Sequence, residues 1–425
     1  MGFSCVQKWM VALWLAAAFA IATFSMPHYW GRVPFDFRIR VNEVRQLVKG
    51  TDPFDIWSGK VASETCYPLY KTELETERRC NPIHAYTPWS YVVMLPFSGD
   101  MPFTLKWHVW AAVLIACFAV VPVFAFWTGW CMRRNAWDGL FVTAAALSIS
   151  VVWGPGMGSG NYSIMLAAML ALMVVCLELH FDVLAGVCYA FIMIKPQDGA
   201  LLSIPLLFAR RWKTVLSAAA VCIAAATVSS ALCGKSPIEL ILEVPKLGSP
   251  FYEGSILVPG SLKAALENAG VPHDAILLGN QFAGIALCCA MSWCVRRSND
   301  WIVRLSPAVA CAMAWTYMLG GDRCIFFLLQ ILFARECLAA DGMKRKLFFG
   351  GMIFLVSLNG SSILTTCSDL FAAIGGRIGY ADLYSDVRNV ICVVEPVAGL
   401  ALLSIMAVMC FRTARSSGYA GSRRP

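Results

Sequence analysis

A chain of 425 residues that is 59% hydrophobic and only 14% charged, with a mean hydropathy of +0.65, is not a soluble domain, in which about 25% of residues carry charge. The net charge of +8 lies in short clusters between apolar runs rather than on one continuous face, which argues against nucleic acid as a partner. Runs of roughly 20 mostly apolar residues, the length that crosses a bilayer as a helix, recur from end to end. The short alternating segments of a β-barrel are not seen, so the reading is an all-α polytopic membrane protein.

In chain order, spans are predicted near 9–27, 105–127, 138–154, 162–178, 183–195, 198–210, 213–232, 280–295, 301–319, 323–334, 346–363 and 389–411. The pair 183–195 and 198–210 is short. The first span reads as a retained anchor, because its apolar run is long and no small-residue cleavage site follows. Basic residues fall at every second loop: Lys8, Arg133 and Arg134, then Arg210, Arg211 and Lys213, then Arg296 and Arg297. Arg335, Lys344, Arg345 and Lys346 follow, and Arg412, Arg415, Arg423 and Arg424 close the series. This is the positive-inside pattern, and it places both termini in the cytoplasm. The outer loops are then 28–104, 155–161, 196–197, 233–279, 320–322 and 364–388, within one domain covering 1–425. The membrane implied is the cytoplasmic (inner) one.

Most of the eighteen cysteines lie inside spans, where Cys is a small packing residue. Cys66 and Cys80 share the first outer loop and either pair, if that loop meets an oxidising compartment, or stay as thiols. No His/Cys spacing of a metal site occurs, and no cofactor is expected.

The first outer loop opens on Pro27-His28-Tyr29-Trp30, aromatic residues suited to an interface. A helix along the membrane surface is expected from Asp36 to Lys49, with Ile39, Val44, Leu47 and Val48 as its apolar side. Gly50-Thr51-Asp52-Pro53 ends it. Asp36 stands where a carboxylate either accepts backbone N–H groups at a helix start or faces a cavity and removes a proton. Lys195 ends an apolar run and precedes a proline; its ammonium either reaches the surface by snorkelling or serves a function there.

The run DFRIRVNEVRQLVKGTDPF resembles the signature of the family 87 membrane glycosyltransferases, with Asp36, Phe37, Leu47, Gly50 and Pro53 in register. Arg40 and Phe54 replace tyrosines. Tyr86-Thr87-Pro88 is similar to the family's Tyr-Pro-Pro, and Gly160-Asn161 to its Gly-Gln. Ala185-Gly186 with Lys195-Pro196 is similar to its Gly…Lys-Pro segment, and Gly279-Asn280-Gln281 to its Asn-Gln-Ser, with Phe282 in place of Ser. Ser306-Pro307 and the Tyr317…Asp322 stretch resemble its late motif, Met318 and Gly320 standing where a His is common. The likeness runs over about residues 9 to 335.

The resemblance implies a GT-C-like bundle of about twelve transmembrane helices with a long first outer loop. It implies transfer of a hexose, mannose being commonest, from a polyprenyl-phosphate donor to a glycan or glycolipid acceptor, with inversion. Asp36 is then the general base and Lys195 a candidate for the donor phosphate; Arg38 and Arg40, basic and close in sequence to Asp36, either join it there or are solvated or salt-bridged. Tyr86, Asn161, Asn280, Gln281 and Asp322 are candidates for substrate binding. All except Arg38 and Arg40 were located by family pattern, and the charge rule independently places them at the outer face. A transporter or flippase, a non-catalytic member and a ligase moving a whole glycan stay open. Mid-span charges, which a transport path favours, are nearly absent apart from Glu395 before Pro396, and no internal repeat is seen.

Overall fold

The computed structural model describes residues 3–30, 34–57, 60, 86–244, 273–315, 324–357 and 401–410. Among them there is no strand, and the architecture is helical throughout. Two helices are long and apolar enough to cross a bilayer, α5 (Phe103–Arg133) and α12 (Trp212–Cys233), accompanied by shorter apolar helices. The fold and the composition together point to a helical membrane protein. Cys66, Cys80 and Glu395 lie outside the described residues.

Helix α1 (Cys5–Trp30) leads to α2 (Phe35–Val48) and α3 (Pro53–Trp57). After a 3-10 turn at Pro88–Ser90, α4 (Tyr91–Met94) precedes α5. The span expected at 138–154 is two helices, α6 (Ala136–Leu147) and α7 (Ser150–Ser159). At the break the Ser148 N–H donates to the Ala145 carbonyl at 3.0 Å and its hydroxyl to the Ala144 carbonyl at 2.8 Å. Helix α8 (Ser163–Glu178) and α9 (Asp182–Ile192) match expectation. The span expected at 198–210 is instead α10 (Pro196–Gly199), a 3-10 turn and α11 (Ser203–Phe208), a chain punctuated by Pro196, Gly199 and Pro205. Beyond α12 come α13 (Pro237–Glu243), α14 (His273–Val295), α15 (Trp301–Trp315), α16 (Phe327–Ala339) and α17 (Met343–Ser357). A further helix covers Ala401–Cys410.

Two helices form the centre. Helix α8 is buried on nearly every side, from Ile164 to Leu177, and α16 from Phe327 to Ala334. Helices α5, α9, α15 and α7 pack against α8, while α6, α17, α15 and α5 pack against α16. Helices α5 and α6 cross at two glycines. A methyl group on Gly129 would lie 2.6 Å from the Asp138 carbonyl, and one on Gly139 would lie 2.7 Å from the Phe126 ring, so only hydrogen fits between these backbones.

The two ends of α8 differ in chemistry. At its C-terminal end Arg211 pairs with Asp182 at 3.0 Å and Arg335 with Asp300 at 2.5 Å, while Glu178 accepts the Trp301 N–H at 3.0 Å. The opposite end, roughly 24 Å away along the sixteen residues of α8 at 1.5 Å per residue, carries Asn161, Ser163 and Lys195.

Candidate active site

Local sequence places Asp36 before any ligand is considered. Phe37 is completely buried, with ring centroids 5.5–5.7 Å from those of Phe97, Phe103 and Trp107. This aromatic anchor fixes the start of α2 against α5. Opposite it, Gly160 ends α7 with φ +77°, a conformation that costs a side-chain-bearing residue energy. A methyl group there would fall 2.6 Å from the Phe37 Cβ. The Trp110 indole N–H donates to the Gly160 carbonyl at 2.9 Å. Phe37 and Gly160 thus interlock, which brings their neighbours Asp36 and Asn161 together.

The Asn161 amide donates to Asp36 Oδ2 at 3.2 Å. Its own oxygen accepts the Lys195 ammonium at 2.7 Å, the Ser163 hydroxyl at 2.8 Å and the Ser163 N–H at 3.1 Å. Lys195 also donates to Ser163 Oγ at 3.0 Å. One carboxylate, one amide and one ammonium therefore form a continuous chain. Lys195 is 1% exposed, so the snorkelling arrangement is not the one adopted. Nor is Asp36 the helix cap: Pro34 occupies that position, with Asp36 in the first turn, where its charge meets the positive end of the helix dipole.

The segment Tyr86–Ser90 is tied to the turn bearing Lys195. Thr87 donates to the Ile194 carbonyl at 3.0 Å and the Trp89 indole to the Met193 carbonyl at 2.9 Å. These bonds set the Tyr86 ring 6.0 Å from the Lys195 ammonium. On its other side the Arg40 guanidinium lies 3.7 Å from the ring centroid, a cation–π contact. Arg40 is buried and donates to both oxygens of Glu43, at 2.7 and 2.6 Å. Arg38 stands elsewhere, half-buried, 5.4 Å over the Phe103 ring. Helix α2 is largely enclosed by protein rather than half-wet: Ile39, Val44 and Leu47 are buried as expected, but so are Asn42, Glu43 and Gln46, while Val48 is half exposed.

Glu43, Ser163 and the carboxylates around Lys235 were not singled out by sequence. Nothing in a lone Glu marks it as buried; only the Arg40–Glu43 spacing of three, which faces charges along one helix side, could have. Burial pushes the Glu43 carboxyl up to about 8, with Arg40 pulling the other way and Asp36 adding to the rise. An acid whose folded pKa exceeds its unfolded value takes up protons on folding. Its contribution to stability therefore falls as pH rises from about 4.5 to about 8. Glu43→Gln, neutral throughout, is expected to flatten that part of the stability curve, as read by thermal unfolding in detergent between pH 5 and 8.5; an unchanged slope would rule Glu43 out as its source.

Lys235, just beyond α12, donates to Asp52 at 2.5 Å and pairs with Asp55 at 2.9 Å and Glu243 at 3.2 Å. Burial opposes its charge, yet Asp52 and Asp55 hold the ammonium above the ordinary lysine range. These three carboxylates are close enough to hold a metal ion, but the lysine sits among them. Their visible role is to tie α3 to α13. Asn280 and Gln281 lie on α14 with side chains outside the description, and Asp322 lies outside the described residues.

A polar centre built from helix ends thus sits within a helical fold of membrane-protein composition. Residues 84–319 match the profile of glycosyltransferase family 87, more than half of the chain, and the chain belongs to that family. No curated protein and no solved structure matches it. The match begins just before Tyr86 and takes in Asn161, Lys195, Asn280 and Gln281; Asp36, Arg38 and Arg40 precede it.

Gly160→Ala offers a test of the interlock. Alanine there combines positive φ with a clash against Phe37, and a misplacement of about 1 Å at a reacting group can cost on the order of 100-fold in rate. Gly234, with φ +74° and nothing within 4 Å of an added methyl, supplies the control for backbone strain alone. Glycosyl transfer is expected to fall tenfold or more in Gly160→Ala and to stay near wild type in Gly234→Ala. Equal losses in both would remove the interlock as the cause.

Proposed function

We propose that the protein transfers a hexose, mannose by family precedent, from a polyprenyl-phosphate donor to a glycan or glycolipid acceptor. The reaction takes place at the extracytoplasmic side of the inner membrane, within a bundle of about twelve spans. What carries this reading is the hydrogen-bonded chain Asp36–Asn161–Lys195, which sets a proton acceptor and a cation on either side of one amide.

In this mechanism Asp36 takes the proton of an acceptor hydroxyl. The oxygen attacks the anomeric carbon, the bond from that carbon to the phosphate oxygen breaks, and polyprenyl phosphate departs with the electron pair. A single displacement inverts the anomeric configuration. Carboxylates are weak bases at neutral pH, so fixed geometry supplies much of the effect; the Phe37–Gly160 interlock provides it. The leaving phosphate gains negative charge, and a cation in a poorly solvated site stabilises that charge more than water would. Lys195 is that cation. Arg40, enclosed with Glu43, adds its field and holds Tyr86 in place, and Arg38, over the Phe103 ring, is kept as a further candidate for the phosphate. Asn161 orients the base, and Tyr86, Asn280, Gln281 and Asp322 are kept as the candidates for sugar binding.

The test is direct. The purified protein in liposomes, given polyprenyl-phosphate mannose and a glycan acceptor, is expected to release polyprenyl phosphate in step with product. Transfer from a nucleotide sugar alone, with no use of the lipid donor, would overturn the proposal.

A further inference from the structure

Away from the Asp36 site a cavity of about 940 Å³ runs between α1 and α17. Met10, Val11 and Trp14 form one wall, Leu347 and Phe354 the other, with Phe141 of α6 behind. Arg133 and Lys346 line it too. Lys346 stands in the first turn of α17, and Arg133 is the last residue of α5, donating to the Leu338 carbonyl near the C-terminus of α16. These helix ends meet at one end of the cavity, beside the N-terminal half of α1, where Lys8 lies 5.7 Å over the Trp137 ring. Arg134, Lys344 and Arg345 are neighbours in sequence. The apolar trough thus has cations at one end only.

That asymmetry identifies the occupant. Arg133 has the Asp138 carboxylate at 3.6 Å, so a helix from a second copy would cover the apolar walls but bury Lys346 without an anion. A soluble anion would meet the cations but leave the trough empty. A molecule that is apolar along its length and anionic at one end satisfies both, and basic pockets between membrane helices bind such headgroups. The volume lies at the upper end of the roughly 300–1,000 Å³ found for small-molecule sites. The cavity follows α1 as far as Ala18, and from there to Trp30 at the helix end the rise of 1.5 Å per residue leaves roughly 18 Å to the end that leads to Asp36. The cavity is therefore separate from the site of transfer.

We propose that this cavity binds an anionic glycerophospholipid, its acyl chains along Met10, Trp14, Leu347 and Phe354 and its phosphate at Lys346 and Arg133. The bound lipid bridges α1 to α17. This does not depend on the glycosyl-transfer mechanism.

Gly350 supplies the decisive variant: it lines the cavity, and a Cβ added there meets nothing within 4 Å. Gly350→Phe therefore starts its ring from an unobstructed position on the trough wall, and Lys346→Gln removes a cation that is exposed to solvent. The delipidated full chain in detergent is heated with phosphatidylglycerol, with phosphatidylcholine of the same acyl chains, or with polyprenyl phosphate. Phosphatidylglycerol is expected to raise the unfolding midpoint by roughly 3–6 °C in a saturable manner, and phosphatidylcholine to leave it unchanged. The shift is expected to vanish in Gly350→Phe, whose lipid-free midpoint matches wild type, and to need higher lipid in Lys346→Gln. An equal response to both phospholipids, or a phosphatidylglycerol shift that survives Gly350→Phe, overturns the proposal. A Gly350-dependent response to polyprenyl phosphate alone overturns it as well, by assigning the cavity to the isoprenoid lipid.

Discussion

Asp36→Asn is expected to lower turnover with a polyprenyl-phosphate hexose by about 1,000-fold, midway in the 10²–10⁴ that a positioned base contributes. Asparagine keeps the shape of the side chain, and its oxygen still accepts the Asn161 amide that Asp36 accepts at 3.2 Å. The anchor at Phe37 is untouched. The unfolding midpoint and the donor KM are therefore expected to stay near wild type, so that the whole loss falls on kcat. That split separates a missing base from a damaged fold. Near-normal kcat in Asp36→Asn would end the claim that this carboxylate removes the acceptor proton, while leaving the family assignment intact.

Lys195→Met is expected to lower kcat by roughly 100-fold, the loss typical of removing one group that stabilises developing negative charge. Methionine is unbranched and fills irregular space well, so the completely enclosed position can accept it. Asn161 Oδ1 keeps two donors from Ser163, so that acceptor is not orphaned. Lys195→Arg retains the charge and is expected to recover part of the activity. Because Lys195 and Asp36 act on one transition state through one amide, the double variant is expected to lose less than the product of the single losses. A strictly multiplicative loss would show that the two act independently. Unchanged kcat in Lys195→Met would remove the lysine from the leaving-group role.

Much of this organisation is legible in the amino-acid order. Apolar run length marks where helices lie, because each must keep its backbone hydrogen bonds internal when water is absent; the runs over 105–127, 162–178 and 213–232 all became helices. Proline and glycine locate breaks less well than runs locate helices. The interruption at Ser148–Ile149 lies in a stretch with no proline or glycine from Leu140 to Trp153, and a hydropathy average gives no sign of it. The family pattern selected Tyr86, Asn161 and Lys195, but spacing gave no distances among residues separated by up to 109 positions. Glu43 was invisible for a different reason: a helix that looks amphipathic in isolation discloses neither which protein covers its polar side nor that Arg40 needs an internal counter-charge.

By itself the sequence determined the solvent this chain belongs in, the segments that become helices and the family to which it is assigned, since each follows from local composition or residue order. Tertiary structure alone decided that Asp36, Asn161 and Lys195 share one chain of hydrogen bonds, that Arg40 is sealed against Glu43, and that an apolar trough with a cationic end opens between α1 and α17. Such features arise where helix ends meet, and the meeting is fixed by packing, by Phe37 seated on Gly160 and by glycines at the α5–α6 crossing, which no single segment encodes.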